Sequence, residues 1–270
     1  MRPWLCAALL AAVVAAAAAP AFADATDQLA SARRLYNQGR YDDALSAARE
    51  VVANPALASS ARLIVGRARL ERFRRNADPA DLEAARGALR ALDPRALDAR
   101  ERVELTVGLS ELLYLDDHFG AAAEMLEPAL DATRVLGEAA HDRALDWWAT
   151  ALDREAQTQP PPERVSAYTR ILDRMARVLE RDPGSEPANY WMAAAARGAG
   201  DPDRAWQAAA AGWLRAPLAR DRGAALRADL DRLVAQGILP DRAARLSVRD
   251  PRQALAGMLN EWQAFKESWR

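Results

Sequence analysis

Residues 198–217 read GAGDPDRAWQAAAAGWLRAP. Gly198 and Gly200 flank Ala199, and Asp201-Pro202 follows at once. Glycine behind a helix supplies the left-handed backbone that closes a tight turn. Aspartate before proline suits the next helix start. The carboxylate accepts from orphan amides, and proline at the first helical position loses no hydrogen bond. Two helix backbones come closest where small side chains face each other. Ala193 before the turn and Ala205 after it are therefore the expected contact of an antiparallel helix pair. Trp206 and Trp213, set among alanines, fill the wider gaps toward whatever packs next.

The same grammar runs through the rest of the chain. Alanine, leucine, arginine and glutamate abound, all good helix formers, and no sustained alternation of β-branched residues marks a strand. Asp-Pro recurs at 78–79, 93–94, 182–183, 201–202 and 250–251. Asp78, Asp201 and Asp250 read as N-caps. Asp93-Pro94 and Asp182-Pro183 follow long periodic runs and read as helix ends. The expected pairs are 25–38 with 41–54, 59–75 with 79–92, 99–115 with 119–135, 138–157 with 162–181, and 187–198 with 202–215. Helices near 220–235, 240–247 and 251–268 close the chain. Pro160-Pro161-Pro162 is the sharpest break.

The pairs repeat. Pro183 and Pro217 stand 34 residues apart, a period diagnostic of helix-pair arrays. Ala193, Gly200, Ala205 and Pro217 fall within that frame. The stretch SARRLYNQGRYDDALSAAREVV, 31–52, places Ala32, Leu35, Tyr36, Gly39, Tyr41, Ala44 and Leu45 in it as well. LSELLYLDDHFGAAAEMLEPAL, 109–130, places Ser110, Leu113, Tyr114, Phe119, Ala122, Leu126 and Ala129 there, with Asp117 where the turn glycine belongs. On these residues the chain resembles a tetratricopeptide-repeat protein over most of its length. The second pair fits through Gly66 and Pro94 with extra residues at its turn, and the fourth is longer. The fold this implies is all-α: a right-handed superhelical solenoid of about five antiparallel pairs plus C-terminal capping helices. Its parts are a signal peptide over 1–23, N-terminal repeats over 24–137, a tryptophan-rich longer pair and repeat over 138–217, and capping helices over 218–270.

The leader is read from Arg2, the apolar run Leu5 to Ala19 and the Ala21-Phe22-Ala23 cleavage signal, with Asp24 as the first mature residue. That run is short for a membrane span, so no integral span is expected in the mature chain. Cys6 is the single cysteine, which leaves the mature chain without disulfides and dependent on its core. A formal net charge of −1 argues against a nucleic-acid binder, which needs a net basic face.

No catalytic constellation, metal set or phosphate-cradling loop stands in the sequence, so no cofactor or metal is expected. His118 lies in a turn beside Asp116 and Asp117 and reads as solvated. His141 reads as a surface residue near a helix start. In residues 142–157, Leu145, Trp148 and Leu152 share one face, which makes Trp148 core. Trp147 lies on a flank, either packed on a neighbouring helix or presenting an aromatic surface. The last helix carries Leu255, Met258, Leu259, Trp262 and Phe265 at three- and four-residue spacing. Its mixed charges favour a capping helix over a membrane-surface one.

Tetratricopeptide arrays bind extended peptides or partner helices in a groove lined by their first helices. By carry-over of the family's groove positions, the candidates are Leu29, Arg33, Tyr36 and Asn37 in the first repeat, Val107, Glu111, Tyr114 and Leu115 in the third, and Tyr190, Ala194, Arg197 and Gly198 in the fifth. Tyr36, Tyr114 and Tyr190 either line that groove or pack between adjacent helices. The resemblance thus implies an exported, non-enzymatic scaffold for a protein or peptide partner in the cell envelope, periplasmic or secreted. Two alternatives stand beside it. One is a helper subunit of an envelope enzyme or secretion system; the other is an enzyme with an unfamiliar site in the tryptophan-rich half.

Overall fold

The computed structural model describes residues 24–246 and 250–269; the leader expected over 1–23 lies outside them. The described residues are about 85% helical, contain no strand, and form 13 α-helices packed in neighbouring pairs. They fall into two compact units, one ending at Asp116 and the other beginning at Asp117. The helices expected as a third pair fall one in each unit.

The first unit comprises α1 (24–37), α2 (Tyr41–Val51), α3 (Ala58–Asn76), α4 (Pro79–Arg90) and α5 (Ala99–Leu115). Each start has a local cause. Asp78 accepts from the Ala80 amide at the head of α4, and Asp98 and Glu101 form a reciprocal capping box at the head of α5. The α1–α2 turn closes on Gly39 at φ 73°, with the Arg40 amide donating to Leu35 O at 2.9 Å. One core cluster joins Leu29 and Ala32 of α1 to Ala44, Ala48 and Val51 of α2 and Ile64 of α3. A second gathers Leu63, Leu70, Leu89, Leu105 and Leu112 from α3, α4 and α5. Besides neighbouring pairs, α3 also packs on α5.

The second unit comprises α6 (Phe119–Leu126), α7 (Glu138–Thr158), α8 (Pro161–Arg181), α9 (Glu186–Gly198), α10 (Pro202–Arg215), α11 (Ala224–Leu233), α12 (Leu239–Leu246) and α13 (Pro251–Ser268). A π-helical turn, Val234–Ile238, joins α11 to α12. The helix expected over 119–135 stops at Leu126, and short 3₁₀ turns carry the chain from Glu127 to Leu136. Pro128 explains the break: it has no amide to donate, and its ring clashes with the carbonyl of the preceding turn. In this unit too, helices pack beyond their immediate neighbours, α7 on α9 and α9 on α11.

The pair α9–α10 answers the question its sequence poses. Ala193 and Ala205 are both completely buried where these helices meet. Gly200 closes the turn at φ 83°, and the Asp201 amide donates to Ala196 O at 2.9 Å, repeating the geometry at Gly39. Asp201 caps α10 through the Arg204 amide. Trp206 and Trp213 reach away from α9 and meet Trp262 of α13 edge-on, at ring separations of 5.3 and 5.4 Å. Phe265 stacks on Trp262 at a ring separation of 5.4 Å. The Trp262 indole N–H and Lys266 both donate to Asp231 at 2.7 Å. Small residues sit where the paired helices touch, and large ones where the final helix docks.

Candidate functional site

The second unit carries an open groove of about 910 Å³. One wall is α7. Asp142, Asp146, Thr150, Asp153 and Gln157 line it at three- and four-residue spacing, which places them on one stripe of a helix. The floor is α9, with Tyr190 and Trp191 set edge to face at 5.5 Å. The opposite wall is α11 and the π-turn, with Asp229, Leu233 and Gly237.

Two groove carboxylates are held by aromatic donors, whereas Asp142 pairs with Arg220 and Asp229 with Arg232. Asp146 accepts the Trp191 indole N–H at 2.8 Å. Asp153 accepts the Tyr168 hydroxyl at 2.8 Å. Tyr168 in turn lies against Gly198, whose missing side chain leaves room for the ring. Burial raises Asp146 above the usual carboxylate range, the Trp191 hydrogen bond opposes this, and the charge of Asp229 adds to it. Burial likewise raises Asp142 against the pull of Arg220, and raises Glu186 with help from Asp221 and Asp142. The Tyr190 hydroxyl is raised by burial and then by Asp229, Asp146 and Asp153, with Arg232 opposing. Tyr190 on the floor therefore faces three carboxylates.

Four guanidiniums also border the groove: Arg143, Arg154, Arg197 and Arg232. Arg197 donates to Asp241 at 2.7 Å, and Arg232 pairs with Asp229 at 3.3 Å. Arg143 and Arg154 are exposed on the rim. The guanidinium of Arg197 lies flat over Gly237; a Cβ there would stand 2.8 Å from its Cζ. The π-turn thus makes a seat for this side chain at one end of the groove.

Of the residues expected from the sequence, Tyr190 and Arg197 line this groove. A smaller recess shared by Tyr190, Ala194, Arg197 and Gly198 adjoins it. Trp147 is half-buried, and Trp148, Leu145 and Leu152 are core, as their shared face implies. Glu155 turns elsewhere, accepting the Gly120 amide at 3.2 Å.

In the first unit, Arg33, Tyr36 and Asn37 line a recess of about 260 Å³ with Arg67, Arg100 and Glu104. Its charges are already paired: Arg33 with buried Glu101, and Arg67 with Glu104 at 2.9 Å. Arg67 also lies over the Tyr36 ring, 4.6 Å from its centroid. Burial pushes the Tyr36 hydroxyl far above its ordinary value despite Arg67. Leu29 and Val107 are buried in the core rather than lining the recess. Glu111 lies 3.7 Å from Arg74, and Tyr114 is half-buried on the same helix as Glu111.

His118 is exposed in its turn, as its sequence context suggests. His141 is not at the surface: it is 4% exposed. The Thr133 hydroxyl donates to Leu130 O at 2.6 Å and so accepts from His141 Nδ1–H at 2.8 Å, which leaves Nε2 bare. Burial first, then Arg134, hold this imidazole below its usual pKa. Among the described residues no cluster of three or more histidine, cysteine or acidic side chains has metal-binding geometry. No described helix is long and apolar enough to cross a membrane.

Asp142, Glu186, Asp229 and Trp191 carry no functional signature in the sequence, and Asp146 and Asp153 have the spacing of ordinary helix-surface charges. The stripe on α7 is visible in the spacing, but the same spacing describes any solvated helix face. Compared with protein-family models, curated proteins and solved structures, the chain matches none of them.

Proposed function

We propose that this chain is an exported, non-enzymatic helical scaffold of tetratricopeptide-like repeats, and that it holds an extended segment of a partner protein in the groove of its second unit. The open groove walled by α7, α9 and α11 carries this reading, because α7 and α9 are the first helices of successive expected pairs and α11 packs on α9. The packing of α3 on α5, α7 on α9 and α9 on α11 supports a superhelical stack, in which such helices share one face. Left-handed residues at four of the five expected pair turns, Gly39, Ala77, Asp117 and Gly200, support a common repeat. The leader at 1–23 supports export and a place in the cell envelope, periplasmic or secreted.

The test is photocrosslinking in the native envelope, with a photoreactive residue at Tyr190 and, as control, at exposed Arg49 on α2. A discrete adduct confined to the Tyr190 position supports the reading. Identical patterns at both positions, or no adduct, sink it.

A further inference from the structure

We propose that the segment taken by this groove is basic, a stretch of partner chain presenting lysine or arginine side chains at every third position in an extended conformation. This rests on the groove reading above and adds the chemistry of the occupant. Three observations carry it. The first is charge placement. Asp146, Asp153 and Glu186 border the floor, and among the described residues none has a basic group within ion-pair distance. The bordering guanidiniums are either committed, Arg197 to Asp241 and Arg232 to Asp229, or out on the rim. An anionic segment would meet these carboxylates directly, whereas a cationic one supplies their missing partners.

The second is length. A helix rises about 1.5 Å per residue, so Asp146 and Asp153 stand roughly 10 Å apart along α7. A polyproline-like chain returns a side chain to the same edge every third residue, about 9 Å on. The stripe from Asp142 to Gln157 covers about 22 Å, room for six or seven extended residues. The third is the floor. Half-buried Tyr190, backed edge to face by buried Trp191, presents an aromatic ring beneath the carboxylates, suited to the methylene stems and cationic heads of such side chains.

The experiment uses the chain from Asp24 onward and fluorescence anisotropy with three labelled seven-residue peptides. They carry lysine, glutamine or glutamate at every third position and are otherwise identical. The lysine peptide is expected to bind at least about tenfold tighter than the glutamine peptide, and to weaken steeply with added salt. Asp146→Asn with Asp153→Asn should remove that preference, because asparagine keeps the acceptors for the Trp191 indole and the Tyr168 hydroxyl but not the charge. If circular dichroism shows that variant unfolded, half-buried Glu186→Gln, at a carboxylate that likewise has no ion-pair partner, supplies the same comparison.

Equal binding of all three peptides, lost in Tyr190→Ala, overturns the basic segment and leaves the groove reading standing. No binding of any peptide, or binding indifferent to Tyr190→Ala, overturns both. Displacement of the lysine peptide by equimolar spermidine also overturns the proposal, since the groove would then read free amines rather than a chain.

Discussion

Replacing Gly198 by alanine tests the packing behind the groove. Gly198 ends α9 with ordinary helical backbone, so helix propensity alone predicts a gain of about 1 kcal/mol. The structure predicts the opposite sign. A Cβ at this position would lie 2.7 Å from Cε2 of Tyr168 and closer still to Cζ and Cε1. Carbon atoms pack at about 3.5–4.0 Å, so the ring or the helix must yield by on the order of 1 Å. The ring has little room to yield: Tyr168 is 3% exposed, and its hydroxyl is tied to Asp153 at 2.8 Å. Overpacking of this kind costs about 3 kcal/mol at the upper end, which leaves a net loss of about 2 kcal/mol after the propensity gain. The expected fall in Tm is roughly 4–8 °C. Denaturant unfolding followed by tryptophan fluorescence is the assay, since every tryptophan of a chain starting at Asp24 lies in the second unit. In a double-mutant cycle, Gly198→Ala should cost nothing further once Tyr168→Ala has removed the ring. A neutral or stabilising Gly198→Ala, or additive costs in the cycle, would refute the argument.

Three other predictions concern separate parts of the molecule. Asp81 is completely buried; burial works against its ionisation, but hydrogen bonds from Arg69 and Asn76 and the charge of Arg72 outweigh it and hold the carboxyl below the usual range. Asp81→Ala should cost about 3 kcal/mol by stranding Arg69, while Arg72 keeps Asp42, read by denaturation under far-ultraviolet circular dichroism, and a loss under about 1 kcal/mol would contradict this. The folded pKa of His141 lies below its unfolded value near 6.5, so its contribution is full above that pH and is lost as pH falls through the folded value. Stability should therefore drop between pH 7 and 5 less steeply in His141→Asn, whose amide can still donate to Thr133; parallel curves would exclude His141 as the cause. Ala77 ends α3 in the left-handed region at φ 54°, a strain of about 1–2 kcal/mol for a residue with a Cβ. Ala77→Gly should stabilise the chain by about 0.5–1 kcal/mol after the entropic cost of glycine, and a loss in thermal melting would count against the strain.

The sequence by itself determined the helices and their turns. The aspartate caps at 78, 201 and 250 and the turn glycines at 39 and 200 stand where their spelling puts them, because each acts on backbone groups within five residues. The break at Pro128 is local in the same sense, although the helix expected over 119–135 runs through it. The docking of Trp262 was foreshadowed by the stripe on the last helix, though Trp206 and Trp213 as its partners were not. Only the tertiary structure made a groove. Asp146 meets Trp191 across 45 residues, and Arg197 meets Asp241 across 44. On its own helix Asp146 has the spacing of a solvated charge; it becomes part of a wall because α9 and α11 pack opposite it. His141 follows the same logic, buried by Thr133 and Leu130 in turns that helical periodicity does not place. Hydrogen bonds to one's own backbone are written in neighbouring residues, whereas burial and electric field depend on what packs against a face.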